Sequence, residues 1–174
     1  MHEALHDEIR RHLAKWHGGV RPSRQQLLDA AAAVTAFRQD RGIVGLWEAP
    51  PLMATATLDD AFGHGLDLIH RFAVAAGLRL LPLGTLRPAG AVVAACRAHR
   101  PELLGLTVLQ FDTEADLLAI RAGIPEETCI VAGGPVFAAD PDLARRAGIG
   151  FVARNAGAFW QFLLAMESLT ADER

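Results

Sequence analysis

The sequence predicts an α/β domain built on a five-stranded parallel sheet, and three observations carry that prediction. From residue 52 onward, short apolar runs alternate with amphipathic segments of helical period, the rhythm of successive strand–helix–strand units. The runs are apolar throughout rather than at every second position. Leu103-Leu-Gly-Leu-Thr-Val108 is one such run, and continuous apolarity marks strands covered on both faces. Residues suited to a site, Asp60, Thr107 and the pair Gly133-Gly134, fall at the ends of three of these runs, where open α/β sheets bind ligands.

Taken in order, residues 2 to 17 predict a helix, because Leu5, Ile9, Leu13 and Trp16 recur at helical spacing with charges between them. Gly18-Gly19 ends it. Pro22 and Ser23 introduce a second helix over 23–40, with Leu27, Leu28, Ala31, Val34, Ala36 and Phe37 on its apolar side and Arg41-Gly42 as its stop. Pro50-Pro51 marks a boundary. Strands are then expected at 52–57, 78–83, 103–108, 128–132 and 150–153. Helices are expected at 64–76, 88–99, 112–122, 138–147 and 155–168. In the first of these helices, Leu66, Ile69, Ala73 and Ala76 share one face.

Composition narrows the function. The 174 residues suffice for one compact domain with a short accessory segment. Apolar residues make up 51% and charged residues 21%, the balance of a soluble globular protein. A net charge of -3 offers no basic footprint for nucleic acid. No apolar run is long enough to span a bilayer, and the polar, partly acidic start Met1-His-Glu-Ala-Leu-His-Asp-Glu is unlike a signal peptide, so a cytoplasmic protein is expected. Cys96 and Cys129 are too few and too far apart for a disulfide framework or a thiolate metal site. The chain has no phosphate-binding loop, no dinucleotide fingerprint after its first strand and no nucleophile elbow. Asp112, Glu114 and Asp116 favour the N-terminus of the helix they open. Arg87, Arg154 and Asn155 sit near strand-to-helix turns, within reach of a polar ligand. Phe111, Phe137, Phe159 and Trp160 are assigned to the core or its rim.

Asp60-Ala-Phe-Gly-His-Gly65 follows the first strand, Thr107-Val-Leu109 stands at the end of the third, and Gly133-Gly134 at the end of the fourth. In this order and near this spacing, the three stretches resemble the cobalamin-binding domain of methionine synthase, corrinoid methyl-carrier proteins and cobalamin-dependent mutases. That family carries Asp-x-His-x-x-Gly, then Ser-x-Leu, then Gly-Gly at the same strand ends, and the resemblance covers residues 52 to about 168. It implies a flavodoxin/Rossmann-like parallel sheet of order 2-1-3-4-5 with helices on both faces, over residues 50–170. A short helical segment, residues 1–49, precedes it. It also implies that Asp60, Phe62 and Gly65 lie beneath a corrin ring, and that Thr107, Leu109, Gly133 and Gly134 line the groove for the cofactor's tail.

One departure stands out. The family histidine is the lower axial ligand of cobalt, and the motif aspartate hydrogen-bonds its far nitrogen. Here Phe62 occupies the histidine position and has no lone pair to offer a metal. Asp60 then has a second reading as a cap for the following turn. His64 stands two residues on, where a tight loop points a side chain elsewhere. It is a secondary candidate for cobalt, with a capping histidine as its other reading. The resemblance therefore implies a small corrinoid-binding protein without a histidine ligand, a carrier, accessory subunit or sensor that works with a separate catalytic or regulatory partner and has no independent catalytic activity. The alternative is a cofactor-free or haem-binding docking module on the same fold. Methyl-carrier relatives place a four-helix bundle before the domain, and Trp47-Glu48 is similar to the aromatic and acidic pair such caps set over cobalt. Only two helices precede the domain here, so pairing of two copies through them is expected to complete a four-helix unit.

Overall fold

The computed structural model describes residues 2–16, 21–59 and 64–172. The helix stop Gly18-Gly19 and the motif residues Asp60 and Phe62 lie outside the described residues. Two compact units divide the chain. Met1–Pro50, Leu68–Arg79 and Asn155–Arg174 form a helical unit, and Pro51–Asp67 with Leu80–Arg154 form a sheet unit. No described helix is long and apolar enough to cross a membrane.

In the helical unit, α1 (His2–Ala14) buries Leu5, Ile9 and Leu13, three positions one helical turn apart on a single face. Helix α2 (Arg24–Asp40) begins with a reciprocal capping box. Ser23 Oγ accepts from the Gln26 amide, and the Ser23 amide donates to Gln26 Oε1, so two of the otherwise unpaired groups of the first turn are satisfied. Helices α3 (His64–Ala76) and α8 (Ala156–Asp172) supply the centre of the aromatic core. The Trp160 indole nitrogen donates to the Phe72 carbonyl at 2.9 Å, and their rings lie 4.2 Å apart. Trp16 stacks on Trp160 at 6.0 Å. The segment Ile43–Trp47 closes on the end of α3 through the Leu46 amide, which donates to the Ala76 carbonyl. Gly77, at φ +94°, faces Gly45 so closely that a side chain on either would enter the other's backbone.

The sheet unit carries β1 (Leu52–Thr57), β2 (Arg79–Gly84), β3 (Leu103–Thr107), β4 (Cys129–Gly133) and β5 (Phe151–Val152). They form one sheet in the order β2-β1-β3-β4-β5, with β1, β3, β4 and β5 paired in parallel. The fold is therefore the expected Rossmann-like parallel sheet of order 2-1-3-4-5. Pro82 lies within β2, which the topology places at an edge, the one position where a strand tolerates a residue that cannot donate to the ladder. Ala54, Ala56, Leu104, Leu106, Ile130 and Ala132 alternate onto one face. They form a single buried cluster with Val92 and Cys96 of α4 (Ala89–His99) and with Leu117 and Ile120 of α5 (Glu114–Gly123). On the opposite face Met53, Thr55, Thr57, Leu103 and Val131 are buried too. Gly105 is a glycine for a packing reason, since a Cβ there would meet Met53 Cε at 2.5 Å.

Two boundaries differ from expectation. The helix expected over 112–122 opens as a 3-10 turn at Phe111–Thr113 before α5. The helix expected over 138–147 is two short pieces, α6 (Val136–Ala139) and α7 (Leu143–Arg146). Pro141 separates them. It forces Asp140 out of the helical region, to φ −127°, ψ 89°, as the residue before a proline usually is. Cys96 is buried and its thiol is pushed up to about 11 by desolvation. Cys129, half-buried, is raised chiefly by the same cause. Both behave as small apolar residues rather than nucleophiles.

Candidate functional site

The sheet register sets the floor of the candidate site. Thr57 is opposite Thr107, and Thr107 is opposite Gly133, so the ends of β1, β3 and β4 form one row at the carboxyl edge. The loops leaving that edge are tied together by a short chain of hydrogen bonds. The Thr57 hydroxyl donates to the Asp59 carbonyl at 3.1 Å and accepts from the Leu86 amide at 3.3 Å. The Thr57 carbonyl accepts from the Arg87 amide at 2.9 Å. Asp59 Oδ2 accepts from the amides of Leu109, at 2.6 Å, and Gln110, at 3.1 Å. The loops after β1, β2 and β3 thus meet at two side chains, Thr57 and Asp59.

Asp59 is 4% exposed, and its second oxygen, Oδ1, is buried with no hydrogen-bond partner among the described residues. A buried acceptor without a donor is costly, so such an atom calls for a partner. Around this clamp the loops hold apolar side chains outward. Leu86 is 61% exposed, Leu109 39% and Phe111 66%. These are three of the six large apolar side chains that the described residues leave exposed. Phe111 is accordingly not a core residue. Phe137, Phe159 and Trp160 are buried as expected.

The glycines at the edge divide by cause. Gly134 has φ +135°, and a Cβ there would collide with the Val108 carbonyl. Its small size is an internal requirement of the β3–β4 crossing. Gly133 has a milder constraint, with the Ala153 carbonyl 3.2 Å from a Cβ built on it. Gly65 lies in the first turn of α3, and nothing stands within 4 Å of a Cβ there. No contact of Gly65 with the described residues demands a glycine, although glycine costs a helix stability.

Of the residues assigned from sequence, the sheet unit brings Thr107, Leu109, Gly133 and Gly134 to one edge, with Gly65 in the turn of α3 that follows the motif loop. Asp60 and Phe62 fall outside the described residues, as does the side chain of His64, which opens α3. Arg87 contributes a backbone amide to Thr57. Asn155 caps α8, its Oδ1 accepting from the Ala158 amide at 2.8 Å. Glu114 pairs with Arg146, which also holds Asp140. Both carboxyls are held below the usual range by hydrogen bonds from that guanidinium. Trp47 is buried in the helical unit, its indole nitrogen unpartnered among the described residues. Asp59, Thr57 and Leu86 were not legible as site residues. Asp59 is adjacent to an identical residue, and nothing in the order of the two shows that position 59 is buried. A groove of 390 Å³ lies elsewhere, in the helical unit, lined by Ala31, Thr35, Ala36, His70, Arg71 and Val74 among others. It does not touch the row of strand ends. Among the described residues no group of three His, Cys, Asp or Glu could hold a metal ion.

No protein-family model matches the sequence, and no curated protein matches it significantly. Solved structures do match in fold, among them cobalamin-binding and corrinoid proteins. One is a cobalamin-binding protein from Desulfitobacterium hafniense DCB-2, with a TM-score of 0.74 at 17% identity, covering 92% of this chain and 82% of that one. The monomethylamine corrinoid protein of Methanosarcina barkeri matches with a TM-score of 0.60 at 17% identity, covering 81% of this chain and 67% of that one. The methanol:cobalamin methyltransferase complex MtaBC of the same organism matches at 0.57 and 18% identity, over 83% of this chain and 66% of that one.

Proposed function

We propose that this chain binds a corrinoid at the carboxyl edge of its sheet and acts as a carrier, accessory subunit or sensor beside a separate catalytic protein. The observation that carries the reading is the buried oxygen of Asp59, unpartnered among the described residues, beside the exposed Leu86, Leu109 and Phe111. A corrin is a broad apolar ring edged with amide groups. Its N–H donors suit the free Asp59 oxygen, and its faces suit the apolar rim. Gly65, with no contact among the described residues that demands a glycine, leaves room for a close approach. The cobalamin-binding and corrinoid proteins among the structural neighbours support the same class of ligand, and the methyltransferase complex supports a protein partner.

In this reading Phe62 lies beneath the ring, so the lower position of cobalt is left to the cofactor's own base or to none. Thr107, Leu109, Gly133 and Gly134 line the tail groove, and residues 1–49 act as a pairing segment between two copies of the chain. When bound, the corrinoid supplies a metal-centred methyl or electron carrier. The chain's own residues hold it, with Asp59 and Thr57 fixing the three loops, and leave the chemistry to the partner.

The test is titration of the purified protein with hydroxocobalamin and methylcobalamin, read by the visible spectrum and by the heat of binding, with haem as a control. One-to-one saturation without a histidine-ligated spectrum is the expected result. Absence of saturable binding by either corrinoid would overturn the proposal.

A further inference from the structure

Leu86 occupies a position that the fold alone does not reward. Its backbone is left-handed, with φ 52°, a conformation that costs a side chain bearing a Cβ and that glycine or asparagine adopts more readily. Two residues earlier the same loop uses a glycine, Gly84, at φ +99°. At position 86 it uses a leucine, and the leucine is 61% exposed, so burial does not offset the strain. The conformation is enforced from below. The amides of Leu86 and Arg87 both donate to Thr57, one to the hydroxyl and one to the carbonyl, and Pro88 restricts the residue before it. Thr57 in turn holds the Asp59 carbonyl. The strained leucine is therefore anchored to the β1 end from which the motif loop departs.

Strain held at an exposed position points to a function for the side chain that the free protein does not show. We propose that Leu86 is a binding contact of the corrinoid, its side chain held out against the apolar surface of the ring. This inference rests on the corrinoid reading above and adds a residue that the motif resemblance does not include.

The experiment compares the full chain with Leu86→Gly, Leu86→Asn and Leu86→Met. Affinity is measured by visible titration with hydroxocobalamin and with cobinamide, and melting by circular dichroism. Leu86→Gly is expected to melt at the wild-type temperature or above it, because glycine relieves the backbone, yet to bind both corrinoids about tenfold or more weakly. Leu86→Asn, which tolerates the left-handed backbone but offers no apolar surface, is expected to lose affinity in the same way. Leu86→Met retains the apolar surface and is expected to bind within about threefold of wild type. Wild-type affinity in the Gly and Asn variants overturns the role of Leu86 while leaving the corrinoid reading intact. A wild-type chain that binds neither corrinoid overturns both. If Leu86→Gly melts lower, the Asn and Met pair decides: loss in Asn alone supports the contact, and equal loss in both overturns it.

Discussion

A carboxylate that spends one oxygen on two backbone amides and leaves the other without a donor is expensive to bury, and Asp59 does this among the described residues of the loop cluster. Removing it strands the Leu109 and Gln110 amides. Asp59→Ala is expected to lower stability by about 1–3 kcal/mol in urea unfolding. Asp59→Asn is expected to lose less, because the amide oxygen can still accept both bonds. The two glycines make a sharper contrast. Gly134→Ala forces a Cβ into the Val108 carbonyl at a positive φ and is expected to cost more than about 2 kcal/mol. Gly65→Ala is expected to leave stability unchanged or raise it by about 0.5–1 kcal/mol, while weakening corrinoid binding. Phe62→His restores a nitrogen donor at the motif position and is expected to tighten corrinoid binding with the spectral change of a new lower ligand. Unchanged affinity and spectrum would argue against Phe62 lying beneath the ring. At this scale the sequence was only partly legible. Gly133-Gly134 was recognisable as a motif, but the collision that requires Gly134 depends on the Val108 carbonyl of another strand end. The burial of Asp59 depends on how the loop turns, which the order of the residues does not state.

Strands and helices were far more legible, because burial writes its period into the chain. Continuous apolarity in Leu103–Thr107 and helical spacing in α1 and α3 are direct imprints of the two faces of the sheet and the single face of a helix. The break between α6 and α7 was missed although its signal, Asp140-Pro141-Asp142, is local. Apolar periodicity runs on through it, and the fixed φ of proline overrides that pattern. The Ser23–Gln26 box is a similar local device, and Ser23→Ala is expected to cost about 1 kcal/mol by thermal unfolding. Arg146 links the start of α5 to the end of α6 through Glu114 and Asp140. Both carboxyls have folded pKa values below their ordinary 4.5 and 3.8. Their contribution is therefore present above those ordinary values and is lost as pH falls through the lower folded ones. Stability measured by urea midpoint is expected to decline on that acid limb, and Arg146→Gln to flatten the decline. His12 behaves in the same sense. Burial, the leading cause, lowers its pKa below 6.5, so the folded chain resists a proton that the unfolded chain accepts, and stability falls as pH drops below that value.

For the molecule as a whole, sheet order and site location belonged together. A parallel sheet that reverses direction beside β1 opens a crevice at its carboxyl edge, and the observed order β2-β1-β3-β4-β5 puts Thr57, Thr107 and Gly133 there. What topology could not specify is the surface the loops present, because the exposed Leu86, Leu109 and Phe111 obey no periodicity. The distribution of aromatic side chains carries one more consequence. The chain has three tryptophans and no tyrosine, and Trp16, Trp47 and Trp160 all belong to the helical unit. Tryptophan emission from this protein therefore originates in the helical unit, while the sheet unit contributes none of it. Melting followed by fluorescence tracks the first, and melting followed by far-ultraviolet dichroism tracks both. Coincident curves would show the two units unfolding as one cooperative body, and separated curves would show that each holds its own stability.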